Sequence, residues 1–169
     1  NCKIFNKLKM LRNQGRPNSG TFIHPELGMN FRMTDLQCAL GVAQLKKFEE
    51  IRRIKQENYQ LYVKLLEPVK QISYIKINDF TTFVPFRVNI KVPDLEKLLN
   101  HLEQNGIQTR RMFYPLHRQP CFDYLHYREN DFPASNEAYD TGMSLPIHCS
   151  LTHQDIQLIC ETIADFYKG

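Results

Sequence analysis

The residues best placed to do chemistry lie in two short stretches. The first is Gly28 to Asp35, GMNFRMTD, in which Asn30 and Arg32 stand just ahead of Thr34. Thr34 and Gln37 have the spacing of a capping box, so a helix is expected to begin at about Asp35. Unpaired N–H groups and partial positive charge at a helix start favour anions. A loop that delivers an amide and a guanidinium there is a candidate site. The second stretch is Phe113-Tyr114-Pro115-Leu116-His117, where strand-like alternation ceases and a histidine follows a tyrosine and a proline. Each stretch also has a plainer reading: Asn30 as a turn former, Arg32 as a stem covering apolar surface, His117 as a hydrogen-bonded structural group. Residue type and spacing leave both readings open. The chain has no glycine-rich phosphate loop, no GxSxG elbow and no paired carboxylates in a recognisable frame. His117 and Cys121 are four apart, as are His126 and Asn130, but no clustered third and fourth ligands complete a zinc set.

These residues must be positioned by the elements around them. From Asp35 to about Glu67 there is no proline, and Leu36, Leu40, Ala43, Phe48, Ile51, Tyr62 and Leu66 recur at helical spacing, which predicts one helix over residues 35–67. A helix of that length usually bridges two domains or lies along a subunit interface. Gly41 inside it, at a cost of about 1 kcal/mol, implies a closely packed partner. Lys46 with Glu50 and Glu49 with Arg53 are four-residue pairs on a solvated face. Upstream, KIFNKLKML predicts a short helix ending near Asn13, and Pro17, Gly20 and Pro25 predict an extended loop over Pro17–Leu27. Downstream of Pro68, Phe86, Val88, Ile90 and Val92 alternate as a half-buried strand that begins at Pro85 or is irregular there. Asp94 then opens a helix with Leu95, Leu98, Leu99 and Leu102 on one face, terminated by Asn105-Gly106. Ile107 to Met112 reads as a second strand. Residues 118–134 read as a loop anchored by Phe122, Tyr124, Tyr127 and Phe132, and Ser135 as the cap of a short helix through Tyr139. Leu145-Pro146-Ile147-His148 is a short strand or extended crossing. Thr152 and Asp155 start a last helix with Ile156, Ile159, Cys160, Ile163 and Phe166 inward. The part from about Pro68 is expected to form a compact α+β domain.

Composition narrows the class. The chain has 169 residues, 42% hydrophobic and 24% charged, with no apolar run near the ~20 residues of a membrane span, and reads as soluble and ordered. The net charge of +4 is scattered over Lys46, Arg52, Arg53, Lys64, Lys76 and Lys91, which argues against a nucleic-acid surface. Five cysteines, an odd number without a CxxC pair, read as reduced thiols of a cytoplasmic protein. Asn1 opens the chain and no signal sequence follows, so the chain is expected to begin inside a longer protein.

Four segments in order, KLKMLRNQGR, HPELGMNFRMTDLQCALGVAQLKKFEE, GIQTRRMFYPLHRQPCF and MSLPIHCSLTHQDI, resemble consecutive motifs of the DegT/DnrJ/EryC1/StrS sugar aminotransferases. FYPLHRQP is most similar to the perosamine-synthetase-like branch. The resemblance implies an α/β fold, the C-terminal portion of a fold-type I aminotransferase dependent on pyridoxal phosphate. Residues 1–34 would end the large domain, 35–67 form a long connecting helix and 68–169 a small C-terminal α/β domain. It implies transfer of an amino group from glutamate to the C4 ketone of a nucleotide-linked deoxy sugar, in a cytoplasmic homodimer with shared active sites. The cofactor lysine would lie upstream, so no catalytic residue is expected in this chain. By the family pattern Asn30 reaches the cofactor phosphate in the neighbouring subunit, Arg32 lies near the substrate in the same trans arrangement, and His24, Arg110, Tyr114 and His117 match positions around the substrate cleft. Arg111 stands where a proline often follows the matching arginine, and Cys38 where alanine is usual. The competing expectation is a catalytically inactive dimerisation or binding module.

Overall fold

The computed structural model describes residues 1–18, 20 and 22–168. The chain divides into two compact units, Asn1–Phe48 and Glu49–Gly169.

In the first unit, α1 (Cys2–Arg12) is capped by the Asn1 side chain, which accepts the Lys3 N–H. The chain then turns through Gln14 and Gly15, both at positive φ, and a returning segment pairs with it. The Met29 N–H donates to Leu11 O at 2.9 Å, that of Phe31 to Arg12 O at 3.0 Å, and that of Gln14 to Met29 O at 3.0 Å. The crossing is too close for any side chain: a Cβ on Gly15 would lie 1.8 Å from Glu26 O, and one on Gly28 2.2 Å from Gly15 N. The capping box of Thr34 and Gln37 launches α2 (Asp35–Lys46). The loop expected over Pro17–Leu27 is irregular as read, with Ser19 and Thr21 outside the described residues.

The expected single helix over 35–67 is two helices, α2 and α3 (Phe48–Leu66). At Lys47 the N–H moves to Gln44 O, a tightened turn that no proline or glycine announces. A Cβ on Gly41 would meet no atom within 4 Å, so the close partner expected there is not supplied by this chain's described residues. The ion pairs on α3 are Glu49 with Arg52 and Arg53 with Glu57, in place of the pairs read from spacing.

The second unit continues from α3 through β1 (Ser73–Tyr74), β2 (Val88–Lys91), α4 (Leu95–Gln104), β3 (Arg110–Arg111), α5 (Pro133–Thr141), β4 (Gly142–Leu145) and α6 (His153–Phe166). The sheet order is β1-β2-β4-β3, with every neighbouring pair antiparallel. The strand–helix–strand β2-α4-β3 therefore straddles β4. Val88 and Ile90 point into the core while Asn89 and Lys91 are half-buried, as the alternation requires. Tyr62, Leu66, Leu98, Leu102, Met143, Leu145, Ile156 and Ile163, from α3, α4, β4 and α6, fill one apolar cluster. Gly106, with φ +74°, ends α4 as expected, and Thr152 caps α6 in a reciprocal box with Asp155.

Four elements differ from the sequence reading. Strand β2 lacks Phe86, and the strand expected over Ile107–Met112 pairs only at Arg110–Arg111, because the Ile107 N–H turns back to Leu102 O at 2.9 Å. Helix α5 begins at Pro133, not at a Ser135 cap, since proline is preorganised for the first helical position. The strand read at Leu145–His148 lies earlier, at Gly142–Leu145, where Pro146 without an N–H ends it. Among the described residues no helix is long and apolar enough to cross a membrane.

Candidate functional site

In the first unit the α1 end and the returning segment gather Asn13, His24, Asn30 and Arg32. Asn13 and Asn30 face each other in an isolated antiparallel bridge. Asn30 Oδ1 accepts the Arg32 N–H at 3.2 Å. That bond fixes the amide: oxygen on the Arg32 N–H, and an NH2 group with no hydrogen-bond partner among the described residues. Such a donor suits an anionic acceptor such as a phosphate oxygen. Arg32 Nη1 donates to Asn13 Oδ1 at 3.2 Å. His24 Nδ1 lies 2.7 Å from Gln14 O, and because a carbonyl only accepts, the hydrogen sits on Nδ1 and Nε2 is left as the acceptor.

Beside these residues is a cleft of about 290 Å³ lined by Lys9, Arg12, Asn13, Pro17, Asn18 and Arg32. Three cations and no carboxylate face it. Lys9 and Arg12 were not singled out from sequence, although their i, i+3 spacing places them on one helix face.

In the second unit, Arg110 lies in a cleft of about 180 Å³ with Phe86, Arg87 and Ser144. The Arg87 guanidinium sits 5.3 Å from the Phe86 ring centre and 5.1 Å from that of Phe113. Arg87 was missed because alternation placed it simply on the solvent side of a strand. Arg111, the departure from the family pattern, pairs with Glu96 and lies 4.4 Å from the Tyr139 ring centre, tying β3 to α4 and α5. Tyr114 meets Tyr139 edge to face at 5.0 Å.

His117 lies elsewhere in the unit, in a 3₁₀ turn, Leu116–Arg118, that opens a run of such turns ending at Asp131. Its ring stacks at a tilt on Phe132, 4.9 Å away, and its Nε2 lies 3.3 Å from Glu129 O. It lines an apolar cleft that contains neither Arg110 nor Tyr114. The structure thus groups His24, Asn30 and Arg32 around Asn13 and Gln14, but places Arg110 and His117 in separate clefts. The described residues contain no cluster of three or more metal-ligating side chains. All five cysteines are free thiols, with Cys160 alone buried.

GDP-perosamine synthase of Escherichia coli O157:H7 is 27% identical over 166 residues, which are 98% of this chain and 45% of that protein. The enzyme of the same name from Vibrio cholerae is 29% identical over 98% of this chain and 46% of its own length. The chain thus spans about half the length of the curated relatives it matches. Among solved structures, DesV of S. venezuelae superposes with a TM-score of 0.91 at 19% identity, over all of this chain and 45% of its own, which establishes the shared fold. The model of the DegT/DnrJ/EryC1/StrS aminotransferases, which depend on pyridoxal phosphate, matches residues 1–164, and the chain belongs to that family.

Proposed function

We propose that this chain is the C-terminal portion of an aminotransferase that moves an amino group from glutamate to a nucleotide-linked keto-deoxy sugar, of the perosamine type, in the cytoplasm. Residues 1–34 end the large domain, 35–67 connect, and 68–169 form the small domain. Pyridoxal phosphate supplies the electron sink for the transfer when bound. The lysine that would hold it belongs to the upstream half. This chain contributes positioning: Asn30 donates to the cofactor phosphate of the neighbouring subunit of a homodimer, and Arg32 and His24 face the substrate with it. Arg110, Tyr114 and His117 contribute from the small domain. Holding reactants in place is itself a large part of catalysis.

The observation that carries this reading is the Asn30 amide, whose oxygen is committed to the Arg32 N–H and whose NH2 is free to donate outward. The same arrangement in an inactive binding module would have no phosphate to meet. The test uses two variants of the full-length protein, one lacking the cofactor lysine and one carrying Asn30→Ala. A hydrogen bond to a charged group contributes about 1.5–3 kcal/mol, so Asn30→Ala should weaken cofactor retention about ten- to a hundredfold. Mixed dimers of the two variants should regain one complete site and activity above that of the Asn30→Ala homodimer. No recovery, with subunit exchange demonstrated, would refute the trans role. Absence of transfer to any nucleotide-linked keto sugar by the wild-type dimer would favour the inactive module.

A further inference from the structure

Just past β3 the backbone stops holding the chain. The Met112 N–H donates to Gly142 O at 3.0 Å and Pro115 O accepts the Arg118 N–H at 3.1 Å, but Phe113 and Tyr114 between them make no hydrogen bond among the described residues. Their rings hold them instead. Phe113 lies against the Arg87 guanidinium. Tyr114 leans on Tyr139 of α5, with ring centres 5.0 Å apart and planes at 84°, an edge-to-face contact of the kind aromatic pairs favour. Tyr114 is nonetheless 44% exposed, and its hydroxyl has no partner among the described residues. The ring is placed while the hydroxyl stays open.

The placing of Tyr139 depends in turn on Arg111. The guanidinium carbon lies 4.4 Å from the Tyr139 ring centre, well inside the ~6 Å reach of a cation on an aromatic face. Nη2 of the same group donates to Tyr139 O at 3.3 Å, and Nη1 pairs with Glu96 of α4. Tyr139 O is among the last carbonyls of α5, which the helix leaves unpaired and where a cation meets the negative end of the helix dipole. Tyr139 is thus gripped at its ring and at its main chain by a cation anchored on another helix. A planar group with donors along its edge can make all three contacts at once. A lysine ammonium could face Glu96 but has no plane to lay on the ring.

We propose that Arg111 positions Tyr114 through Tyr139, so that the open Tyr114 hydroxyl meets the substrate in one fixed orientation. The proposal rests on the reading of Tyr114 as a substrate-facing residue of an aminotransferase and adds what holds it there. Arg111, Glu96 and Tyr139 are positioning residues that act on the substrate through Tyr114.

The test uses the full-length protein carrying Arg111→Lys, which keeps a charge facing Glu96 and removes the plane over Tyr139. Misplacing a group by about 1 Å can cost about a hundredfold in rate, so this variant should lower kcat/KM for the sugar about ten- to a hundredfold. Tyr139→Leu should reproduce the loss, and Tyr139→Phe, which retains the ring, should recover most of it. The deciding comparison is made in a Tyr114→Phe background, where no hydroxyl is left to place. There Arg111→Lys should cost no more than about twofold. A residue that merely tied β3 to α4 and α5 would cost the same factor in both backgrounds. No loss from Arg111→Lys, or equal losses with and without the Tyr114 hydroxyl, overturns the proposal. A fluorotyrosine incorporated at position 114 gives a second readout, one fluorine signal that reports the contact with Tyr139. It should shift in Arg111→Lys, and a signal unmoved by both Arg111→Lys and Tyr139→Leu also overturns the proposal. The two readings fail separately. A protein that aminates a nucleotide-linked sugar but loses equally in both backgrounds keeps its function and loses the clamp. A fluorine signal that responds in a protein that transfers nothing to any such sugar supports the clamp and overturns the function.

Discussion

Replacing Gly142 by alanine measures how firmly α5 is held over β4. Gly142 has φ −98° and ψ 135°, extended backbone open to any residue, so conformational strain plays no part. The conflict is steric. A Cβ would lie 2.5 Å from Met112 Cγ, which can swing away, and 2.1 Å from Ala138 O, which is backbone in α5. Reaching even 3.0 Å requires a retreat of roughly 0.9 Å. The surroundings resist it: the Val92 N–H donates to Thr141 O at 2.8 Å, the Met112 N–H to Gly142 O at 3.0 Å, and Lys91 pairs with Glu137 at 2.7 Å. Overpacking of this kind costs about 1–3 kcal/mol. Alanine also restricts the unfolded chain, which returns about 0.4–1 kcal/mol. The net loss is about 1–2 kcal/mol, or roughly 0.5–1 M off the urea midpoint. Far-ultraviolet circular dichroism of wild type and variant in urea reads it directly. An unchanged or higher midpoint would refute the argument that α5 cannot yield. Because Ser135 and Asn136 ride on α5, the Glu129 contacts of His117 and Asn136 should loosen with it.

Three other outcomes are expected. Gly41→Ala, in open space within helix α2, should raise the stability of the isolated chain by about 0.5–1 kcal/mol, and a fall in the thermal midpoint would show that backbone packs there after all. The Asp155 carboxyl is held below its ordinary range by hydrogen bonds from the Thr152 hydroxyl and N–H. Its stabilisation is therefore present above the unfolded carboxylate value and lost as pH falls through the folded one. Thr152→Ala should flatten that acid-side loss, and a carbon-detected titration of Asp155 should move upward toward the ordinary range. Burial pushes the Cys160 thiol up to about 12, with Glu161 adding to it, so four thiols should react with a disulfide reagent at pH 8 and the fifth only on unfolding. Five reactive thiols in the native chain would contradict that burial.

What could be read from sequence was whatever local chemistry decides. Thr34 with Gln37 and Thr152 with Asp155 are caps whose partners lie three residues away, and both helices start where those pairs place them. The alternation of Val88 and Ile90 and the stripe of Leu95, Leu98 and Leu102 correctly gave buried faces because one core covers them all. Boundaries failed where a distant partner decides. Whether Ile107–Met112 is a strand depends on how much of β4 it can reach, and β4 begins where α5 ends. The break at Lys47 is a shift of one hydrogen bond in a segment of good helix formers. In the first unit, the Thr34–Gln37 spacing pointed to the segment that carries Asn30 and Arg32. The fixing of His117 had no such signal, because its partner Glu129 is brought back by 3₁₀ turns with no periodicity.

The two units differ in what their own residues satisfy. In the second, apolar periodicity and burial agree along β2, α4 and α6. In the first, neither α1 nor α2 has a buried residue, although Ile4, Phe5, Leu8, Leu36, Leu40, Val42 and Leu45 are large and apolar. On α2 these side chains are spread round the helix, a distribution that water does not favour and that usually signals surfaces covered on more than one side. The backbone of the same unit is nonetheless tightly specified, by glycines that admit no Cβ and by hydrogen bonds across the Asn13–Asn30 bridge. A segment whose backbone is fixed from within and whose side chains await cover from outside suits the rim of a shared site. The trans role proposed for Asn30 and Arg32 requires a rim of that kind.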